Sequence, residues 1–150
     1  MSDVQEYIGD GLERFTEEIF EFLRIPSVSA KPAHNQDTRH AAEWLRAKLK
    51  DAGLEAEVTE TPGHPIVIGE WRGAGADAPT ILVYGHYDVQ PPEPLDLWDS
   101  SPFEPEFRDR RLYARGSADD KGQLYLHVKA AEAHLKAGGG LPVNLIILAE

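Results

Sequence analysis

Short apolar runs alternate with amphipathic helical stretches along the chain, and this alternation limits the possible folds more than any other feature. Three stretches repeat apolar side chains at every third or fourth position, the spacing of one helix face: residues 4–24, about 38–52 and about 122–137. Four others have the length and composition of strands: residues 55–61, 66–71, 80–84 and 143–148. The pattern predicts an α/β fold, with a mixed, largely parallel sheet and helices on both of its faces.

Proline and glycine mark the ends of these elements. Pro26 ends the first helix and Gly53 ends the second. A β-hairpin is predicted over residues 107–114, and the run at 80–84, TILVY, is typical of a strand buried on both faces. Because no repeat, low-complexity tract or long linker divides the sequence, residues 1–150 are expected to belong to one domain.

Composition excludes several classes of protein. The net charge is -11, from 15 basic and 26 acidic residues, so a nucleic-acid partner is not expected. There are no cysteines, which excludes disulfides, thiol nucleophiles and cysteine-ligated zinc. We see no secretory signal and no apolar run near the roughly 20 residues of a membrane span, so a cytoplasmic protein without a membrane partner is expected.

The first candidate site follows the strand predicted at 80–84. His86 and Asp88 are two positions apart, and side chains two apart in an extended segment point the same way. A neutral imidazole is a good metal ligand, and a carboxylate beside it can orient it. The alternative is a pair that merely forms a hydrogen bond in a turn.

The second candidate is a pair of adjacent carboxylates, Asp119 and Asp120, at the start of the third predicted helix. One carboxylate can bridge two metal ions through its two oxygens. The alternative is that both residues stabilise the helix N-terminus, where acidic side chains cap free N–H groups. In open α/β sheets, ligands bind beyond the carboxyl ends of strands, and His86 and Glu150 both follow predicted strands.

The remaining histidines have no partner at a metal-binding spacing. Three lie in or beside loops and two on the polar side of the third helix: His34, His40, His64, His127 and His134. Ser117 lacks the setting of a serine nucleophile, and no phosphate-binding glycine loop is present. The two acidic motifs therefore remain the leading candidates.

The segments from Tyr84 to Pro91 (YGHYDVQP) and from Ala114 to Gly122 (ARGSADDKG) together resemble the M20 metallopeptidase family. The match is nearest to its carnosinase-like dipeptidase branch. LWDSSPF, RLY and FLRIPSVS resemble that branch too, so the likeness covers nearly the whole chain. The resemblance implies a zinc-peptidase-like catalytic domain.

The resemblance also implies roles for individual residues. His86 matches a ligand of one metal, Asp119 matches the carboxylate that bridges two, and Asp88 matches the active-site residue that orients His86. The peptide bond after Asp119 is expected to be cis. The implied cofactors are two divalent ions, zinc by preference and manganese or cobalt as alternatives. The implied reaction is hydrolysis of an amide bond in a small peptide by a metal-activated water.

Several parts of the family pattern are absent from these residues. Glu150 matches only the first glutamate of a Glu-Gly-x-Glu-Glu pattern, whose last two members would supply the general base and a ligand. A later acidic ligand, a distal histidine and the lid domain through which full-length relatives form homodimers are also missing. We therefore expect the amino-terminal portion of a catalytic domain, inactive alone. Alternatives are a non-catalytic chain that binds metal weakly or pairs with a partner and, within enzymes, an amino-acid deacylase or carboxypeptidase.

Overall fold

Four α-helices and six β-strands make up the computed structural model, which describes residues 3–150. The helices are α1 (Asp3–Asp10), α2 (Leu12–Arg24), α3 (Asn35–Ala52) and α4 (Lys121–Ala137). The strands are β1 (Glu55–Thr59), β2 (Ile66–Trp71), β3 (Thr80–Gly85), β4 (Glu106–Arg108), β5 (Arg111–Tyr113) and β6 (Asn144–Ala149). Within residues 3–150, every helix is too short or too polar to span a bilayer.

The helices lie close to where the sequence predicts them, with one break. The helical stretch at 4–24 divides at Gly11, where the Phe15 ring occupies the space that a side chain would need, 2.7 Å from the position of an added Cβ. α3 begins three residues earlier than predicted, and it ends as predicted at Gly53, whose φ of 106° is left-handed. α4 matches the prediction to within one residue.

A four-stranded sheet in the order β1-β2-β6-β3 forms the centre of the fold. The mixed α/β class is confirmed, but the expectation of a largely parallel sheet is wrong for these residues. β3 and β6 pair in parallel, whereas β1–β2 and β2–β6 are antiparallel. The reason is connectivity: a short turn joins β1 to β2, while only the link from β3 to β6 carries a crossover helix, which parallel pairing requires. β4 and β5 form the predicted hairpin as a separate two-stranded sheet.

Helices α3 and α4 cover the same face of the sheet. A Cβ added to Gly69 of β2 would lie 3.1 Å from Leu49 of α3, and one added to Gly85 of β3 would lie 3.1 Å from Leu124 of α4. The partners of these glycines on β6 are two residues apart, so both glycines lie on the same face of the sheet. That face is the one that α3 and α4 cover. Helices α1 and α2 pack on α4. The prediction of helices on both faces is therefore wrong for residues 3–150.

The opposite face of the sheet is apolar and open. Leu82 and Tyr84 of β3 are 60% and 61% exposed, and Ile68, Ile146 and Leu148 are half-buried on the same face. β3 is thus an edge strand in this part of the protein, not the doubly covered strand that TILVY predicts. An apolar run predicts a strand that can be buried, but it does not indicate which element covers each face of that strand.

A buried cluster of charges joins α2 to α4 behind the sheet. Glu18 of α2 lies 2.5 Å from the Lys129 ammonium and accepts a hydrogen bond of 2.7 Å from the Tyr125 hydroxyl. Lys48 of α3 approaches the same carboxylate at 3.3 Å. Burial alone would raise the pKa of Glu18, but the hydrogen bonds and positive charges outweigh it and lower the pKa to about 2. The ionised carboxylate therefore stabilises the helix pair.

We expect this cluster to make stability depend on pH in the acid range. A carboxyl group whose pKa falls on folding stabilises the protein above its unfolded pKa, about 4.5, and this contribution is lost as the pH falls towards 2. Glu18→Gln should reduce the loss in the free energy of unfolding over this pH range by up to about 3 kcal/mol. Urea unfolding at a series of pH values measures it. Glu17→Gln, at an exposed position of the same helix, is the control and should keep the parent pH dependence. If the free energy of unfolding depended on pH equally in both variants, Glu18 would not be the source of the acid sensitivity.

Candidate metal centre

The carboxyl ends of the parallel strands β3 and β6 place their following residues side by side. Gly85 lies opposite Ala149 in the register, so His86 and Glu150 leave the sheet at the same edge. The Glu150 N–H donates to the Gly85 carbonyl at 3.2 Å, and the Tyr87 N–H donates to the Glu150 carbonyl at 2.9 Å. These bonds fix the turn that carries His86. His86 and Glu150 both follow strands, as the sequence predicts.

The imidazole of His86 lies between two carboxylates. Its Nδ1 is 2.8 Å from Asp88 Oδ1, and its Nε2 is 3.0 Å from Asp119 Oδ1. Asp119 follows the hairpin in sequence and is brought to the site by the start of α4. The structure therefore brings together His86, Asp88 and Asp119, the three residues to which the family resemblance assigns roles.

The electrostatics of this contact favour a cation between His86 and Asp119. When Nδ1 donates its hydrogen to Asp88, a neutral His86 presents the lone pair of Nε2 to the Asp119 carboxylate. Two facing acceptors need a proton or a metal ion between them. Burial alone would lower the pKa of His86, but hydrogen bonds with Asp119 and Asp88 outweigh burial and raise it. The Asp119 side chain is 81% exposed, so its carboxylate is open to a further ligand.

The two adjacent aspartates have different roles. The peptide bond between Asp119 and Asp120 is cis, as the family resemblance predicts. Asp120 precedes α4 but makes no side-chain capping bond; its Oδ2 accepts a hydrogen bond from the His86 N–H at 3.1 Å. The capping alternative therefore does not describe Asp120. Its carboxylate holds the backbone of His86 while Asp119 faces the imidazole.

Lys121, the first residue of α4, is a buried residue that the sequence patterns did not single out. Its side chain is fully buried, and its ammonium donates to the Phe22 carbonyl at 2.9 Å and to the Ile25 carbonyl at 2.7 Å. Burial lowers the pKa of Lys121 to about 7. The two hydrogen bonds tie the start of α4 to the end of α2. Backbone acceptors carry no sequence signature, so only its place in the ADDKG motif could have drawn attention to it.

A cavity of about 640 Å³ opens beside His86. Its walls include Ser29, His64, Tyr84 and Asp88. In the sequence, His64 has no partner at a metal-binding spacing. In the structure it reaches this cavity from the β1–β2 turn, and its Nε2 lies 3.0 Å from the Ser29 carbonyl oxygen. His127 and His134 of α4 are exposed, as their place on the polar side of the helix predicts.

The chemistry of the donor set fits part of a divalent metal site. An imidazole nitrogen and a carboxylate oxygen converge, and the second imidazole nitrogen is held by a carboxylate, which is the usual arrangement around protein-bound zinc. Within residues 3–150, no group of three His, Cys, Asp or Glu side chains is placed to hold an ion. Catalytic zinc usually has three protein ligands, and this donor set could supply two of them.

Comparison with protein families matches residues 82–150 to the family model described as peptidase family M20/M25/M40. Among curated proteins, the chain is 37% identical over 141 residues to the cysteinylglycine-S-conjugate dipeptidase of Corynebacterium striatum, covering 92% of this chain and 30% of the relative. It is also 36% identical over 128 residues to the succinyl-diaminopimelate desuccinylase of Xylella fastidiosa (strain 9a5c), covering 85% and 32%.

Among solved structures, human carnosine dipeptidase 1 superposes on 98% of this chain with a TM-score of 0.86 and 27% identity. The chain covers 33% of that structure. It thus spans about a third of the length of each of these proteins. The comparisons agree with the family and the dipeptidase branch that the two motifs indicate.

Proposed function

Because this chain belongs to the M20/M25/M40 peptidase family, we propose that it forms part of a metal-dependent hydrolase that cleaves an amide bond in a small peptide. One observation carries the proposal: Nε2 of His86 and Oδ1 of Asp119 face each other at 3.0 Å, while Asp88 holds the other nitrogen of the same ring. A neutral imidazole and a carboxylate arranged in this way make a metal ligand pair.

Each of the three side chains has one role in this proposal. His86 would hold a divalent ion through its Nε2 lone pair, and Asp119 would supply a carboxylate to be shared with a second ion. Asp88 accepts the Nδ1 hydrogen, which selects the tautomer with Nε2 free and keeps the ring in its plane. When bound, two divalent ions supply Lewis acidity, which lowers the pKa of a water and polarises the scissile carbonyl. Zinc is the expected metal, and manganese and cobalt suit the same donors.

We place these residues in the amino-terminal portion of a catalytic domain. The support is coverage: the chain corresponds to about a third of each relative, and two ligands are too few for a catalytic zinc. The complete protein would contribute the remaining ligands, the general base and a lid domain through which two copies associate. Amide hydrolysis is therefore assigned to the complete protein and not to residues 1–150 alone.

A dipeptide is the favoured substrate. The Corynebacterium relative and the human structure are both dipeptidases by name. A second function, removal of an acyl group from an amino acid, has the support of a desuccinylase relative with almost the same identity, 36%. Both reactions hydrolyse an amide, so the ligands discussed above serve either one. The groups that recognise the rest of the substrate decide between them.

The test is hydrolysis by the complete protein, with and without metal. Cysteinylglycine should be cleaved, activity should disappear after EDTA treatment, and Zn²⁺, Mn²⁺ or Co²⁺ should restore it. Hydrolysis of N-succinyl-diaminopimelate, measured in the same way, tests the deacylase alternative. Cleavage that survives complete metal removal would overturn the proposal. Metal-dependent cleavage of the succinylated substrate alone would keep the metal site but replace the substrate class.

A further inference from the structure

The segment that follows α2 is fixed to the strand end that carries the metal-binding motif. The Val89 N–H donates to the Ser27 carbonyl at 2.9 Å, and the Ser27 hydroxyl donates to the Tyr87 carbonyl at 2.8 Å. These two bonds lie immediately before and after Asp88. Ser27 is fully buried, so water cannot replace its bonds without opening the core. The backbone of residues 27–29 is thereby held at a constant position relative to Asp88.

Ser29, at the end of this segment, contacts the carboxylate of Asp88 directly. Its hydroxyl donates to Asp88 Oδ2, while Asp88 Oδ1 accepts from His86 Nδ1. A carboxylate with a partner on each oxygen cannot turn about its Cβ–Cγ bond without losing one of them. The Asp88 side chain is only 27% exposed, so water gives limited compensation for such a loss. Ser29 therefore sets the plane in which Asp88 meets the imidazole.

The other end of the segment is tied to the second metal-binding motif. Lys121, two residues after Asp119, donates to the carbonyls of Phe22 and Ile25 at 2.9 and 2.7 Å. The end of α2, the residues that position Ser29 and the start of α4 thus form one buried framework. His86 and Asp119 are held to the same framework, His86 through Asp88 and Asp119 through the chain itself.

We propose that Ser29 is a positioning residue of the metal centre, which acts through Asp88 to orient His86. This inference rests on the proposed function, because it assigns Ser29 a role towards the metal that His86 and Asp119 would bind. The Ser29 hydroxyl contacts Asp88, and not the facing atoms of His86 and Asp119. Its effect passes through one carboxylate, so it should be lost when that carboxylate is removed.

The experiment is a double-mutant cycle in the complete protein, with Zn²⁺ affinity measured by calorimetry. Ser29→Ala should weaken zinc binding about 10-fold, the lower end of the range for groups that support a ligand. Ser29→Thr, which keeps the hydroxyl, should restore most of the affinity. In an Asp88→Ala background, Ser29→Ala should change the affinity by less than about twofold, because the group through which it acts is gone. Ser101→Ala, at an exposed loop serine, is the matched control.

Thermal melting and the absorption spectrum of the Co²⁺ protein separate positioning from a general loss of structure. Ser29→Ala should shift the visible Co²⁺ bands while the melting temperature of the metal-free protein changes no more than in Ser29→Thr. Unchanged zinc affinity in Ser29→Ala, or an equal loss in the parent and Asp88→Ala backgrounds, would overturn the inference. If His86→Ala leaves zinc affinity unchanged, the proposed function itself fails, and that result is distinct from a failure of Ser29 alone.

Discussion

Replacing His86 by alanine should lower the zinc affinity of the complete protein more than about 100-fold, because changes to groups that merely support a ligand already cost about 10–100-fold. Hydrolysis of cysteinylglycine should fall at least as far. Nε2 of His86 is the atom that faces Asp119, and Asp88 holds the other nitrogen of the ring, so alanine removes the imidazole from between the two carboxylates. Calorimetry with Zn²⁺ and the rate of hydrolysis at saturating Zn²⁺ measure the two effects.

The matched control for this variant is His127→Ala. His127 is exposed on α4, so its loss removes an imidazole without disturbing the site. Far-ultraviolet circular dichroism should be unchanged in both variants, since His86 lies beyond the end of β3 and belongs to no helix or strand. Near-normal activity in His86→Ala, or an equal loss in His127→Ala, would refute the assignment of His86 as a ligand.

The parts of the fold that follow from local pattern are predictable from the sequence. α3 and α4 have apolar stripes at helical spacing, and Gly53 ends α3 in a conformation that favours glycine. The β4–β5 hairpin closes through Asp109 and Arg110, both with positive φ, as a two-residue hairpin turn requires. In each case the residues that interact are close in the sequence, so their pattern records the interaction.

The arrangement of the sheet depends on contacts between residues far apart, and local pattern does not record them. β6 inserts between β2 and β3, so its neighbours lie more than 60 residues earlier in the chain. A run such as TILVY is equally apolar at the edge and at the centre of a sheet, so the sequence alone predicts that β3 is covered on both faces. Strand order and the covered face come from the packing of α3 and α4.

In the candidate site, too, contacts between residues close in the sequence are predictable and contacts between distant residues are not. His86 and Asp88 are two residues apart, and their hydrogen bond follows from the geometry of an extended chain. Ser29 and Lys121 act on partners about 60 and 100 residues away, and Lys121 contacts only carbonyl groups. The residue types of Ser29 and Lys121 do not indicate which distant groups they contact, so a motif search finds His86, Asp88 and Asp119 and overlooks these two residues.

Replacing Gly122 by alanine should be the most damaging single-methyl change in the part of the chain described. A Cβ at this position would lie 2.0 Å from the Ser117 carbonyl oxygen, well inside any tolerated contact. The obstructing atom belongs to the backbone of the turn that leads to Asp119, so no side-chain rotation can relieve it. The Gly122 N–H also donates to the Gly116 carbonyl at 3.1 Å, which fixes the two segments together. We expect a loss of roughly 3 kcal/mol or more in the free energy of unfolding.

Gly9→Ala separates this steric effect from the general consequence of adding a methyl group to a glycine. Gly9 lies in α1 with no atom within 4 Å of an added Cβ, so alanine there should be neutral or stabilising by up to about 1 kcal/mol. Urea unfolding of both variants measures the free energy of unfolding. Zn²⁺ affinity, measured at urea concentrations below the unfolding transition, is the second readout. Because relief of the clash must move either α4 or the turn before Asp119, Gly122→Ala should also weaken zinc binding in the molecules that remain folded. A variant as stable as Gly9→Ala, with unchanged zinc affinity, would show that the turn and the helix do not pack as closely as the structure has them.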